Sequence, residues 1–137
     1  MKPTKDAIDV GIVTTNPQPM LDFYLKSLGF TYDRQLDADI GAIHRLVFGR
    51  SYLKIVEAAA KTPGHQAGHI TAGTGYRYLT LEVDDLEDTW SRLVADGVAV
   101  LEPLRADAHL GVSLAMVLDP DGNVVEILQR KPAPSVA

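Results

Sequence analysis

The chain has no cysteine, so a disulfide framework and thiol chemistry are both excluded. It has no apolar run of membrane-spanning length. Its first six residues, Met1-Lys2-Pro3-Thr4-Lys5-Asp6, carry no signal-peptide core. A cytoplasmic protein is therefore expected. Positive charge is also short: 13 basic residues against 18 acidic ones give a net charge of -5. That balance argues against nucleic acid or an anionic membrane surface as a partner. No glycine-rich phosphate loop, zinc CxxC pair or serine-nucleophile motif is present. What remains is an ordinary globular composition, 46% hydrophobic and 23% charged over 137 residues, enough for one structural domain.

Two stretches share one pattern. Ile8, Val10 and Ile12 alternate with Asp9, Gly11 and Val13, as in a half-buried strand. Asn16-Pro17 then predicts a helix start, with Leu21, Tyr24, Leu25 and Leu28 at helical spacing and Gly29 at its end. Strands are expected from Phe30 to Leu36, Ile43 to Phe48 and Tyr52 to Val56, with a polar turn over 37–41. Further on, Leu79, Leu81 and Val83 alternate with Tyr78, Thr80 and Glu82. Asp84 and Glu87 resemble a capping box. Leu86, Trp90, Leu93 and Val94 form a helical stripe that Gly97 ends. A short strand over Val98 to Leu101, a loop from Pro103 to His109 and strands over Val112 to Leu118 and Val124 to Leu128 complete the second half. The turn Asp119-Pro120-Asp121-Gly122-Asn123 joins the last two.

Equivalent landmarks recur at offsets of 69 residues (Asp9 to Tyr78), 68 (Gly29 to Gly97) and 72 (Lys54 to Glu126). The expected organisation is a first βαβββ module over 6–57, a linker loop over 58–75 and a second module over 76–130. Residues 131–137 are expected to form a flexible tail. The fold class is α+β. The linker reads as an exposed loop or as a lid over the ligand; His65 and His69 fall within it.

The apolar faces of the strands should take the helices, which turns their polar members the other way. Asp9 lies opposite Ile8 and Val10, Lys54 opposite Leu53 and Ile55, and Tyr78 opposite Leu79 and Leu81. Glu126 is the only charge in an apolar strand, which is costly without a partner. His44 and Arg45 are neighbours, so one of them faces the same side; an imidazole can shuttle protons and a guanidinium can hold a carboxylate or enolate. Each residue also has a bland reading. Lys54 can be a structural ion pair, Tyr78 a packed aromatic and Asp9 a solvated strand end. The acidic run from Asp84 to Asp88 reads as a helix start complementing the dipole. His109 is assigned no role.

Three segments resemble the vicinal oxygen chelate superfamily, the glyoxalase, bleomycin-resistance and extradiol-dioxygenase group. They are Asp9 to Phe30 with Phe23-Tyr24-Leu25-Lys26-Ser27-Leu28-Gly29-Phe30, then Leu81-Glu82-Val83-Asp84-Asp85-Leu86, then Asp119 to Glu126. The resemblance implies two βαβββ modules forming a curved, half-open mixed β-sheet barrel. It also implies a site at matching positions of the first and last strands of each module, where metal enzymes of the group carry histidine or glutamate. Those positions here are Asp9, Lys54, Tyr78 and Glu126. A protonated lysine cannot ligate a metal and tyrosine is a poor ligand, so no cofactor is expected; if a divalent metal is held, Asp9 and Glu126 hold it. Lys54 is expected to occupy roughly the metal's place and pair with Glu126 and Asp9.

The expected activity is that of a lyase or isomerase on a carbonyl or enolisable compound. Glu126, Lys54, Asp9 and Tyr78 are the catalytic candidates; His44, Arg45, Tyr52, Thr80 and Met116 are the substrate-binding ones. The alternative is a non-catalytic protein that sequesters a drug or metabolite. A small-molecule ligand and a homodimer are the expected partners.

Overall fold

The computed structural model describes residues 1–131. Two compact units divide it, Met1–His65 and the chain from Gln66 onward. The first unit holds β1 (Val10–Thr14), α1 (Pro17–Asp22), β2 (Thr31–Ala38), β3 (Gly41–Phe48) and β4 (Ser51–Glu57). Its sheet has the order β1-β4-β3-β2. β1 runs parallel to β4, and the other pairs are antiparallel. α1 starts at Pro17, whose fixed φ suits the first turn. The Asn16 side chain makes no capping bond. The helix widens into a π-type turn over Phe23–Ser27, and Gly29 stops it at φ 83°. Met20, Phe23 and Tyr24 are buried. The Tyr24 ring meets Phe23 and Phe30 edge-on at 4.9 and 5.6 Å, and Phe30 stacks on Phe48 at 5.2 Å. Leu46, Leu53 and Ile55 supply the buried face of the sheet.

The second unit repeats this order with β5 (Tyr78–Glu82), α2 (Leu86–Ala95), β6 (Val100–Asp107), β7 (Val112–Leu118) and β8 (Val124–Arg130). Its sheet order is β5-β8-β7-β6, again with the first strand parallel to the last. α2 packs on β7 and β8. It buries Leu86, Thr89 and Leu93, and the sheet contributes Leu81, Ala115, Val117, Val125 and Ile127. Each leucine so buried is worth roughly 2 kcal/mol. Both modules of the glyoxalase-like α+β fold are thus present.

Several boundaries differ from the sequence reading, each for a physical reason. Ile8 is exposed, and β1 begins only at Val10. The turn expected over 37–41 shrinks to Asp39 and Ile40, because β2 and β3 extend to meet it. The stretch from Pro103 to His109 is not all loop, since β6 runs to Asp107. Proline is tolerated there because β6 is an edge strand whose register with β7 shifts on either side of Glu102. The α2 cap residue is Asp85, not Asp84, and it makes no side-chain capping bond. The first-turn donor Leu86 N is satisfied from β8, by Gln129 Oε1 at 3.0 Å. Of the tail over 131–137, only Lys131, which is exposed, falls among the described residues.

Candidate functional site

Register and alternation decide which side chains share a face. In the first sheet Lys54 lies opposite Gly11 on β1 and Arg45 on β3. Tyr52 is two residues back on the same face, and Asp9 reaches it by accepting the Tyr52 N–H at 2.8 Å. All of these face away from the buried Leu53 and Ile55. The same Asp9 oxygen accepts the Lys5 ammonium at 2.7 Å. These two bonds, Lys5 first, hold the Asp9 carboxyl below its usual range, with a smaller contribution from the field of Lys54. Tyr52 sits between two cations, Lys5 Nζ and the Arg45 guanidinium, each 4.3 Å from its ring centroid. Arg45 donates through Nε to Asp33 at 2.6 Å, which lowers the Asp33 pKa in turn. Within its own unit, Lys54 meets no carboxylate at ion-pair distance among the described residues.

His44 and Arg45 divide as alternation requires. Arg45 joins the Lys54 face, and His44 turns to the opposite, helix-bearing one. There it is 8% exposed. Its Nδ1 is 3.0 Å from the Tyr32 hydroxyl and its Nε2 is 2.9 Å from Glu57 Oε1.

In the second sheet Glu126 lies opposite Thr80 on β5 and Met116 on β7, and Met116 lies opposite Glu102 on β6. One row across the sheet therefore reads Thr80, Glu126, Met116, Glu102. Thr80 Oγ1 donates to Glu126 Oε1 at 2.9 Å. Tyr78 stands one step along the same face, diagonal to Glu126, and is 51% exposed. Around the row, Val112, Leu114, Met116, Val124 and Leu128 form a buried apolar cluster with Ile70, Leu101 and Leu118 packed against it. Glu126 is thus a carboxylate on a mainly apolar platform.

Two contributors had escaped sequence reading. Glu102 falls between the short strand expected over Val98 to Leu101 and the loop expected from Pro103. Its Oε2 is shielded and accepts no hydrogen bond, with Arg105 Nη2 at 3.6 Å. Arg77 lies just past the 58–75 linker, ahead of the strand that begins at Tyr78. It donates to the carbonyls of Ile70 (3.0 Å), Gln66 (2.6 Å) and His69 (3.0 Å), and so ties the linker, through Ile70, to the apolar cluster of the Glu126 face. His69 Nε2 lies 3.9 Å from Glu102 Oε1. An arginine just ahead of a strand, after a glycine-rich loop, was the only available signal.

A cavity of about 570 Å³ opens elsewhere, at the start of α2, lined by Leu86, Ser113, Gln129 and Arg130 among others. It does not include Glu126.

Lys54 and Glu126, expected to pair, belong to different units. Their donor sets do not suit a divalent ion. In the first unit a lysine and a glycine stand at the facing positions, and Asp9 is already engaged by Lys5 and Tyr52. In the second, one carboxylate and one hydroxyl face each other. No step through a metal is derived from these residues.

Known proteins resemble this chain in sequence and in fold. The family model of the Glyoxalase/Bleomycin resistance protein/Dioxygenase superfamily matches residues 8–127. The lactoylglutathione lyase of Neisseria meningitidis is 27% identical over 116 residues, covering 85% of this chain and 84% of that one. Among solved structures, a glyoxylase/bleomycin resistance protein/dioxygenase domain from Frankia sp. EAN1pec superposes with a TM-score of 0.78 at 16% identity, covering 96% of each chain. TnmS3, an antibiotic binding protein from Streptomyces sp. CB03234, superposes with a TM-score of 0.71 at 22% identity, covering 95% of this chain and all of that one.

Proposed function

The chain belongs to the glyoxalase/bleomycin-resistance/dioxygenase superfamily, and from that premise we propose that it binds a small organic molecule and acts on it as a lyase or isomerase, with Glu126 moving the proton. The observation that carries this reading is the Glu126 carboxylate itself. It stands between Thr80 and Met116 with one hydroxyl donor, beside the apolar cluster of Leu114, Val124 and Leu128. One carboxylate oxygen is left without a hydrogen bond from Thr80, and the apolar platform suits the body of an organic ligand. Glu126 takes a proton from carbon α to a carbonyl and returns it to the neighbouring position. Thr80 is the positioning residue, since its hydroxyl fixes one carboxylate oxygen and leaves the other for the substrate.

The reading is tested by solvent-deuterium incorporation into a panel of α-hydroxy carbonyl compounds, with lactoylglutathione included because of the Neisseria relative. Wild type should exchange the α-proton of at least one compound. Glu126→Gln should lower that rate by about 100-fold or more while the compound still binds. The same platform also suits a sequestering protein, and TnmS3, to which this chain is similar in fold, is an antibiotic binding protein. Saturable binding with no exchange in wild type would favour that second reading over the first.

A further inference from the structure

On the Lys54 face of the first sheet, cations outnumber the acids that hold them. Lys5, Arg45 and Lys54 stand around Tyr52, and two carboxylates answer them. Asp9 is engaged by Lys5 and the Tyr52 N–H. Asp33 is engaged by Arg45 and by Arg34. Lys54 is left half-buried without a counter-ion of its own in its unit, in a protein whose net charge is -5. An ammonium so placed has donors to offer a ligand's anion.

The surroundings of Lys54 have the shape for such an anion. Its facing residue on β1 is the exposed Gly11, and a Cβ built there would meet nothing within 4 Å, so open space lies beside the lysine. Its facing residue on β3 is Arg45. That guanidinium gives Nε to Asp33 and lies over the Tyr52 ring, which fixes its plane. Ammonium, bare glycine and oriented guanidinium therefore stand in one row.

We infer that this row binds an anionic group of a small organic ligand, a carboxylate or a phosphate, over Gly11 with Lys54 as its principal partner and Arg45 as its second. Asp9 and Asp33 act as positioning residues that hold the flanking cations. The inference rests on the small-molecule reading above, but not on proton transfer at Glu126.

The test is an NMR titration of the isotope-labelled full chain with sodium pyruvate and, separately, with inorganic phosphate, at constant ionic strength. Saturable shifts confined to Gly11, Lys54 and Arg45 are expected with at least one anion, and the one that saturates distinguishes carboxylate from phosphate. Lys54→Met should weaken that binding by about tenfold or more, as expected for loss of a charged hydrogen-bonding partner. Gly11→Ala, whose new methyl group meets no protein atom within 4 Å, should weaken it severalfold by occupying the space over the glycine. Shifts that stay linear in both anions overturn the inference, as does undiminished binding in Lys54→Met or in Gly11→Ala. Binding is read here without turnover, so its failure is distinct from a failure of proton exchange.

Discussion

Asp119 offers the sharpest test of how the second sheet is held in register. Its side chain is almost wholly buried and sits in the turn between β7 and β8. One carboxylate oxygen accepts the N–H groups of Asp121 at 3.0 Å and Asn123 at 2.8 Å. The other accepts Asn123 Nδ2 at 2.8 Å. Backbone bonds from Asp119 N to Asn123 O and from Gly122 N to Asp119 O close the same loop. Asp119→Ala removes three bonds to a charged acceptor, each worth roughly 1.5–3 kcal/mol when fully shielded. Asp121 and Asn123 are partly exposed and regain water, so about 1 kcal/mol per bond is the better figure, or about 3 kcal/mol in all. A chain of this length has a total stability of roughly 7–20 kcal/mol, so the loss is a substantial fraction. The corresponding fall in Tm is about 10 °C. Urea unfolding followed by Trp90 fluorescence measures the difference, and hydrogen exchange of the β8 amides measures its reach. Asp119→Asn, which keeps one acceptor oxygen, should lose less. A loss below about 1 kcal/mol in Asp119→Ala would refute the view that this side chain sets the hairpin.

Arg77→Ala should release the linker, with cleavage between residues 58 and 75 in limited proteolysis speeding up while the cores of both units stay protected. Gly41→Ala should cost more than about 2 kcal/mol in chemical denaturation, because the new Cβ would press on the Glu57 carbonyl and φ there is +127°. The Asp9 carboxyl, lowered by Lys5 and the Tyr52 N–H, favours folding above the usual 3.8, and that contribution disappears as pH falls through its lower folded value. In Lys5→Met the Asp9 titration seen by NMR should move back toward 3.8, and the acid limb of the stability curve should become shallower. Arg45→Gln should do the same to Asp33, whose lowering has Arg45 as its first cause.

The alternating residues of β1, β4, β5, β7 and β8, and the glycines that stop both helices, made two βαβββ modules legible in the sequence. That legibility came from short-range periodicity. Where a long-range neighbour decides the outcome, sequence reading missed it. Pro103 signals a loop unless one knows that β6 lies at a sheet edge. Asp84 resembles a cap, yet the acceptor for Leu86 N comes from Gln129, 43 residues away. The family resemblance matched Asp9 with Lys54 and Tyr78 with Glu126 on the first and last strands of each module, whereas the register sets Gly11 opposite Lys54 and Thr80 opposite Glu126. Asp9 and Tyr78 are the diagonal neighbours, one step along the same faces. The pairing of Gly11 with Lys54 and the shielded Glu102 oxygen could not be foreseen, because each depends on what stands across the sheet.

The parallel pairing of the first strand with the last has a consequence for when each sheet can form. β1 leaves the ribosome early, but its neighbour β4 follows only after the helix and two further strands. The Asp9 to Tyr52 bond spans 43 residues, and the Thr80 to Glu126 bond spans 46. A hairpin of β2 and β3 can assemble at once, while β1 must wait, paying the loop-closure entropy of the whole module. The polar face that carries Asp9, Gly11 and Lys54 is therefore the last feature of its unit to be completed during synthesis. The face that carries Thr80 and Glu126 repeats that delay a module later.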